Sequence, residues 1–144
     1  MIVINLEVAL QTDAKKLFDV AKDFGRIKDL FPAQFQKIDV ISKNGNQITT
    51  KEELTFQTLV KSTIRQKTIH TIQYPNITSH IVDGPFKNSI ISADFNQNNS
   101  GTIIKFNAQL SVSLKFKIFE PIIKSKYKAI LLSSAYKINN LAME

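Results

Sequence analysis

Two histidines and one carboxylate carry most of the chemistry this chain could perform. His70 lies in a strand-like segment, 59–73, whose alternate residues divide into two sets. Lys61, Thr63, Arg65, Lys67, Ile69 and Thr71 form an outward parity. Val60, Ser62, Ile64, Gln66, Thr68, His70 and Ile72 form an inward one that is half polar. A three-residue turn at Tyr74-Pro75-Asn76 pairs Gln73 with Ile77 and sets His70 opposite His80, Thr68 opposite Val82 and Ile72 opposite Thr78. The only two histidines would then be cross-strand neighbours facing the interior. Such a pair can be held structurally by neighbouring hydroxyls, or can anchor the polar end of an otherwise apolar ligand. It can also act in acid–base chemistry or begin a metal site. That last role lacks a definite third ligand, although Glu52 or Asp83 could be near, so no metal is expected.

Glu52 shares its parity with Ile48, Leu54 and Phe56 and reads as inward, whereas Glu53, beside Thr49 and Lys51, reads as outward. Adjacent carboxylates on a strand point to opposite faces and do not make a catalytic pair. An isolated buried Glu52 would have a raised pKa; a partner such as Gln66, or exposure near an open end, would relieve it. Catalytic candidates are thus limited to His70, His80 and Glu52, and none is assigned a catalytic role. No serine stands in a Gly-x-Ser-x-Gly elbow, and four glycines do not build a phosphate-cradling loop. The absence of cysteine excludes disulfides, thiolate metal sites and cysteine nucleophiles. No cofactor is expected.

The formal charge of +7 invites a nucleic-acid reading, but the lysines are dispersed and Arg26 and Arg65 are the only arginines. No nucleic-acid partner is expected. One basic concentration remains, Lys115, Lys117, Lys124, Lys126, Lys128 and Lys137, along the last predicted element. It reads as a solvated face, or as a weak contact for an anionic membrane surface. Met1-Ile2-Val3-Ile4-Asn5-Leu6 lacks the basic start and apolar stretch of a signal peptide, and no apolar run approaches the ~18 residues of a membrane span. The expectation is one cytoplasmic domain over residues 1–144.

The elements that must position these residues follow from periodicity. Ile2, Ile4, Leu6, Val8 and Leu10 mark a strand. Thr12 caps a helix with Ala14, Leu17, Phe18 and Ala21 as its buried stripe, broken by Gly25. Ile27, Leu30 and Phe31 suggest a second short helix stopped by Pro32. Six strands follow, at 35–42, 47–56, 59–73, 77–83, 88–97 and 102–116, with Asn44-Gly45 and Asn98-Asn99-Ser100-Gly101 at hairpins. In the last hairpin Gln97 pairs with Thr102, so Phe95, Ala93, Ile91 and Ser89 oppose Ile104, Phe106, Ala108 and Leu110 on an apolar inner face; Val112, Leu114 and Phe116 continue it. A helix from about Lys117 to Met143 completes the chain. Phe119, Ile122, Ile123, Tyr127, Ile130, Leu131, Ser134, Ala135, Ile138 and Leu141 form its apolar side. A helix this long needs a sheet to lie on, and a sheet curving around it encloses a pocket.

The order strand, two helices, six strands, long helix resembles the helix-grip superfamily of START lipid-transfer domains, birch-pollen-allergen-like proteins and polyketide cyclase-like domains (SRPBCC). Asp83-Gly84-Pro85-Phe86-Lys87, followed by Phe95, and the Gly101-Thr102 entry to the last strand look like coenzyme Q-binding START-type proteins. The tryptophan expected after that segment is replaced by the stretch Ile91 to Phe95, since the chain has no tryptophan. The resemblance covers essentially the whole chain. It implies an α+β fold, a seven-stranded antiparallel sheet gripping the C-terminal helix around a hydrophobic cavity, with no universal catalytic motif. The expected function is binding or transport of a small hydrophobic ligand such as a lipid, isoprenoid, quinone or polyketide-like molecule. The alternative is a cyclase- or dehydratase-type enzyme in the same cavity. Ile64, Phe95, Phe106, Leu110, Tyr127 and Leu131 would form walls, Gln66, His70 and the Tyr127 hydroxyl would orient a polar end, and Phe31 and Phe86 would gate the mouth.

Overall fold

The structure, a computed structural model, describes residues 1–26, 35–57 and 61–144. Alternation makes Ile2–Leu10 the first strand (β1), with Ile2, Ile4, Val8 and Leu10 buried. Asp13, rather than Thr12, caps helix α1 (Ala14–Ala21), its carboxylate accepting from the Lys15 and Lys16 amides at 3.2 and 3.3 Å. The Thr12 carbonyl instead accepts the Thr102 hydroxyl at 2.7 Å, which ties the helix entry to the sheet. Ala14, Leu17, Phe18 and Ala21 form the buried stripe, as their spacing requires. The helix stops before Gly25, and residues 24–26 begin another helical turn. The remainder of the expected second helix, and with it Phe31, lies outside the described residues.

Six more strands follow: β2 (Phe35–Asn44), β3 (Gln47–Gln57), β4 (Lys61–Gln73), β5 (Asn76–Asp83), β6 (Ile90–Asn98) and β7 (Gly101–Leu110). With β1 they make one antiparallel sheet in the order β1-β7-β6-β5-β4-β3-β2. The β6–β7 register is the one the apolar pattern dictates, with Gln97, Phe95, Ala93 and Ile91 opposite Thr102, Ile104, Phe106 and Ala108.

Three differences from the sequence reading matter for the site. The first is the histidine pair. Only Tyr74 and Pro75 form the β4–β5 loop, so Gln73 pairs with Asn76 and Ile72 with Ile77. One residue fewer in the loop turns every β5 side chain to the other face. His70 therefore faces Ser79 and Thr68 faces Ile81, while His80 pairs with Ile69 and is exposed on the outer side. The two histidines lie on opposite faces of the sheet.

The second is the end of β7, which stops at Leu110. Both neighbouring strands run out there: Ile2 pairs with Leu110, Ile90 with Gln109, and Ser111 is held by the Ser89 hydroxyl instead. Leu114–Phe119 wind into a 3-10 turn in which Phe116 is buried but Leu114 is 83% exposed. The third is the long helix, α2, which begins at Glu120 with Pro121 in its first turn and runs to Ala142. It buries Ile123, Leu131, Ala135 and Ile138, packing on β1 and α1, but leaves Ile122 on the solvent side.

Candidate functional site

Between the inner face of the sheet and α2 lies a cavity of about 230 Å³. A single water needs about 10–15 Å³ on this measure, so the space is far larger than a hydration site. Phe95, Ile104 and Phe106 from β6 and β7, and Tyr127, Leu131 and Ile138 from α2, form much of its wall. The polar lining is concentrated on the middle strands: Thr50 and Glu52 of β3, Gln66 and His70 of β4, and Ser79 of β5.

Strand register places these groups side by side. Glu52 pairs with Gln66, Thr50 with Thr68, and His70 with Ser79. The Thr50 hydroxyl donates to Glu52 Oε1 at 2.9 Å, and its oxygen lies 2.8 Å from His70 Nε2. A hydroxyl has one proton, so His70 Nε2–H must donate to Thr50, and Nδ1 then accepts the Ser79 hydroxyl at 2.7 Å. The result is a directional chain, Ser79 to His70 to Thr50 to Glu52. Phe24 stacks on the imidazole, ring centroids 4.0 Å apart and planes 22° from parallel, and seals it from the α1 side.

Burial sets the charge states. Desolvation pushes the Glu52 carboxyl up to about 7, opposed by the nearby Thr68 and Thr50 hydroxyls. Thr68 Oγ1, Glu52 Oε2 and Gln66 Oε1 are buried and have no hydrogen-bond partner among the described residues. Desolvation lowers His70 to about 4, so the imidazole is neutral at physiological pH. Burial, and then the neighbouring Glu52 carboxylate, hold the Tyr127 phenol far above its ordinary range, which keeps its proton available for donation.

Of the residues expected at the site, Gln66, His70, Phe95, Phe106, Tyr127 and Leu131 line the cavity. Ile64 and Leu110 do not; both are buried in the core beside it. Phe86, at 1% exposure, is also packed in the core and away from the lining. His80 is outside, and Glu52 is inside as its parity requires. Thr50 and Ser79 were missed. Ser79 would have been found with a two-residue loop, and Thr50 from its parity with Glu52. No cluster of three potential metal ligands occurs among the described residues.

No family profile matches the chain, and no curated protein matches its sequence. Solved structures do. TTHA0849 from Thermus thermophilus superposes with a TM-score of 0.85 over 99% of this chain and 97% of that one, at 10% identity. The Zhui aromatase/cyclase from Streptomyces sp. R1128 gives 0.78 over 99% and 93%, at 7% identity. Norcoclaurine synthase from Thalictrum flavum, in complex with dopamine and hydroxybenzaldehyde, gives 0.74 over 99% and 86%, at 18% identity. The chain has the helix-grip fold. Two glycines serve the backbone of this helix-grip sheet. Gly84, at φ +105°, lies so close to β4 that an added Cβ would sit 2.6 Å from the Arg65 carbonyl oxygen. Gly101, at φ +145°, would drive a Cβ into the Leu10 carbonyl of β1.

Proposed function

We propose that the chain binds a compact, uncharged, largely apolar molecule in this cavity and acts as its carrier or sensor. The observation supporting this reading is that folding leaves an apolar space between sheet and helix, with two unpartnered buried acceptors, Glu52 Oε2 and Gln66 Oε1, on residues that line it. An unpaired buried polar group costs about 1–3 kcal/mol, so a ligand that supplies a hydrogen-bond donor there recovers that loss. A hydroxyl suits the site because it can donate to Glu52 and accept from the Tyr127 phenol. A carboxylate does not. No lysine or arginine occurs among the described lining residues, and the neutral His70 offers no counter-charge to an anion beside Glu52. The cavity's size favours one or two rings over a long acyl or isoprenoid tail. Apolar contact at roughly 25 cal/mol per Å² supplies the rest of the affinity.

The test is native mass spectrometry of the purified protein with organic extraction of what co-purifies, followed by titration with 2-naphthol and 2-naphthoate. A retained neutral hydroxylated molecule, and a naphthol bound at least tenfold more tightly than the naphthoate, are the expected results. Equal or tighter binding of the naphthoate would remove the hydroxyl assignment. No binding of either, with a clean apo mass, would remove the container itself.

A second reading rests on Glu52. A buried carboxyl near pKa 7 on the cavity wall can both give and take a proton at neutral pH, which is what a cyclase or dehydratase needs. Solved structures of this fold include proteins named as aromatase/cyclases. On a substrate recovered by extraction, Glu52→Gln would lower the rate by ~10²–10⁴ if Glu52 is the acid–base group. In a carrier the same change alters affinity only.

A further inference from the structure

The face of α2 turned away from the cavity is apolar as well. Ile122, Leu132, Tyr136 and Met143 are 37%, 39%, 51% and 68% exposed. With Ser125 and Ala129, the positions from Ile122 to Tyr136 recur at steps of three and four residues and Met143 follows two turns on, which places them along one side of the helix. The 3-10 turn before α2 adds Ile118 at 80% and Leu114 at 83% exposure. This arrangement explains why α2 is not the one-sided helix its inner residues suggest: it carries an apolar stripe on each side. The 23 residues of α2 extend about 35 Å, long enough for an extended contact.

Lysines border the outer stripe on both sides. At 100° per residue, Lys124 and Lys128 fall on one flank and Lys126 and Lys137 on the other. Residues 114–144 hold six lysines against two glutamates. We infer that this outer face of α2, with the turn before it, docks in plane on an anionic lipid bilayer. The apolar stripe would enter the headgroup boundary and the flanking lysines would meet lipid phosphates.

Charge decides between occupants. A second copy laid on this stripe would bring two lysine-rich borders together, and like charges across an interface oppose association. The surface is also a convex single helix rather than a groove, so it suits a deformable planar partner. No helix among the described residues is long and apolar enough to cross a membrane, so the contact is peripheral. The inference does not depend on what fills the cavity.

Vesicle flotation of the full chain tests it, using phosphatidylcholine vesicles with and without phosphatidylglycerol. The expected result is binding to the anionic vesicles alone, lost as salt shortens the screening length from about 30 Å at 0.01 M to about 3 Å at 1 M. Lys124→Gln and Lys128→Gln should each weaken it about fivefold, and Leu132→Asp should weaken it at least tenfold. All three positions are exposed, and unchanged circular dichroism and thermal midpoints would verify the fold of each variant. Three outcomes overturn the inference: no binding at low salt, equal binding to neutral vesicles, or binding unchanged by Leu132→Asp. A concentration-dependent dimer broken by Leu132→Asp would assign the face to a second copy and overturn it too.

Discussion

At the scale of single residues, the centre of this protein is a pair of titratable groups that burial shifts in opposite directions. Glu52 is raised from 4.5 to about 7, so the folded state holds a proton the unfolded chain releases, and stability falls as pH rises between those values. His70 is lowered from 6.5 to about 4, so the unfolded chain takes up a proton the folded state refuses, and stability rises with pH over that window. Each shift corresponds to roughly 3 kcal/mol. The two contributions cancel between about pH 4.5 and 6.5, where neither would be visible in the native protein. His70→Gln should uncover the carboxylate, giving a urea midpoint that falls from pH 4.5 to 7. Glu52→Gln should uncover the imidazole, giving a midpoint that rises from pH 4 to 6.5. Parallel slopes in the two variants would show that these groups are not buried as described. Glu52 was legible from strand parity alone. The far end of the chain, Ser79 on His70, was not, because it depends on which β5 residue stands across from the imidazole.

At the scale of elements, the hairpins differ in how much of themselves they declare. β6 and β7 carry most of their apolar residues on one parity and Asp94 and Lys105 on the other, so a one-residue slip would bury charge. β5 has no such bias. Ile77, Ser79 and Ile81 on one parity and Thr78, His80 and Val82 on the other are equally suited to an inner face. The loop length decided the matter, and with it the position of His80. Turn glycines likewise separate by their surroundings. Gly84→Ala meets the Arg65 backbone and a left-handed φ together, and should lower stability by at least about 2 kcal/mol. Gly45, at φ +61° with open space around it, should lose only about 1 kcal/mol on the same change. Denaturant midpoints of the two variants would compare them directly; equal losses would mean that the close approach of Gly84 to β4 contributes nothing.

At the scale of the whole molecule, the seven strands and α2 cannot close completely on one another, and what that mismatch leaves is the cavity. Ser134, half-buried on α2, lines it, with its hydroxyl turned back to the Leu131 carbonyl at 2.7 Å. Ser134→Leu should fill part of the space. We expect a gain of about 0.5–2 kcal/mol in stability and a loss of naphthol binding, measured by thermal melts and by titration. A variant that gains stability while binding as before would mean the ligand sits elsewhere.

The order of elements, the inner faces of β1, β6 and β7 and the buried side of α2 were determined by the sequence alone. Each is a periodic pattern whose misplacement would bury charge or expose a row of apolar side chains. The positions of Tyr127 and Leu131 on the cavity wall followed from those faces, and those of Gln66 and His70 from the inward parity of β4. Only the tertiary structure decided that His80 lies outside, that β7 ends at Leu110, and that Ile64 and Leu110 fill core rather than cavity. These depend on the length of a loop, on where neighbouring strands run out and on how far a helix stands from a sheet. Each is a relation between segments, and a pattern within one segment does not encode it.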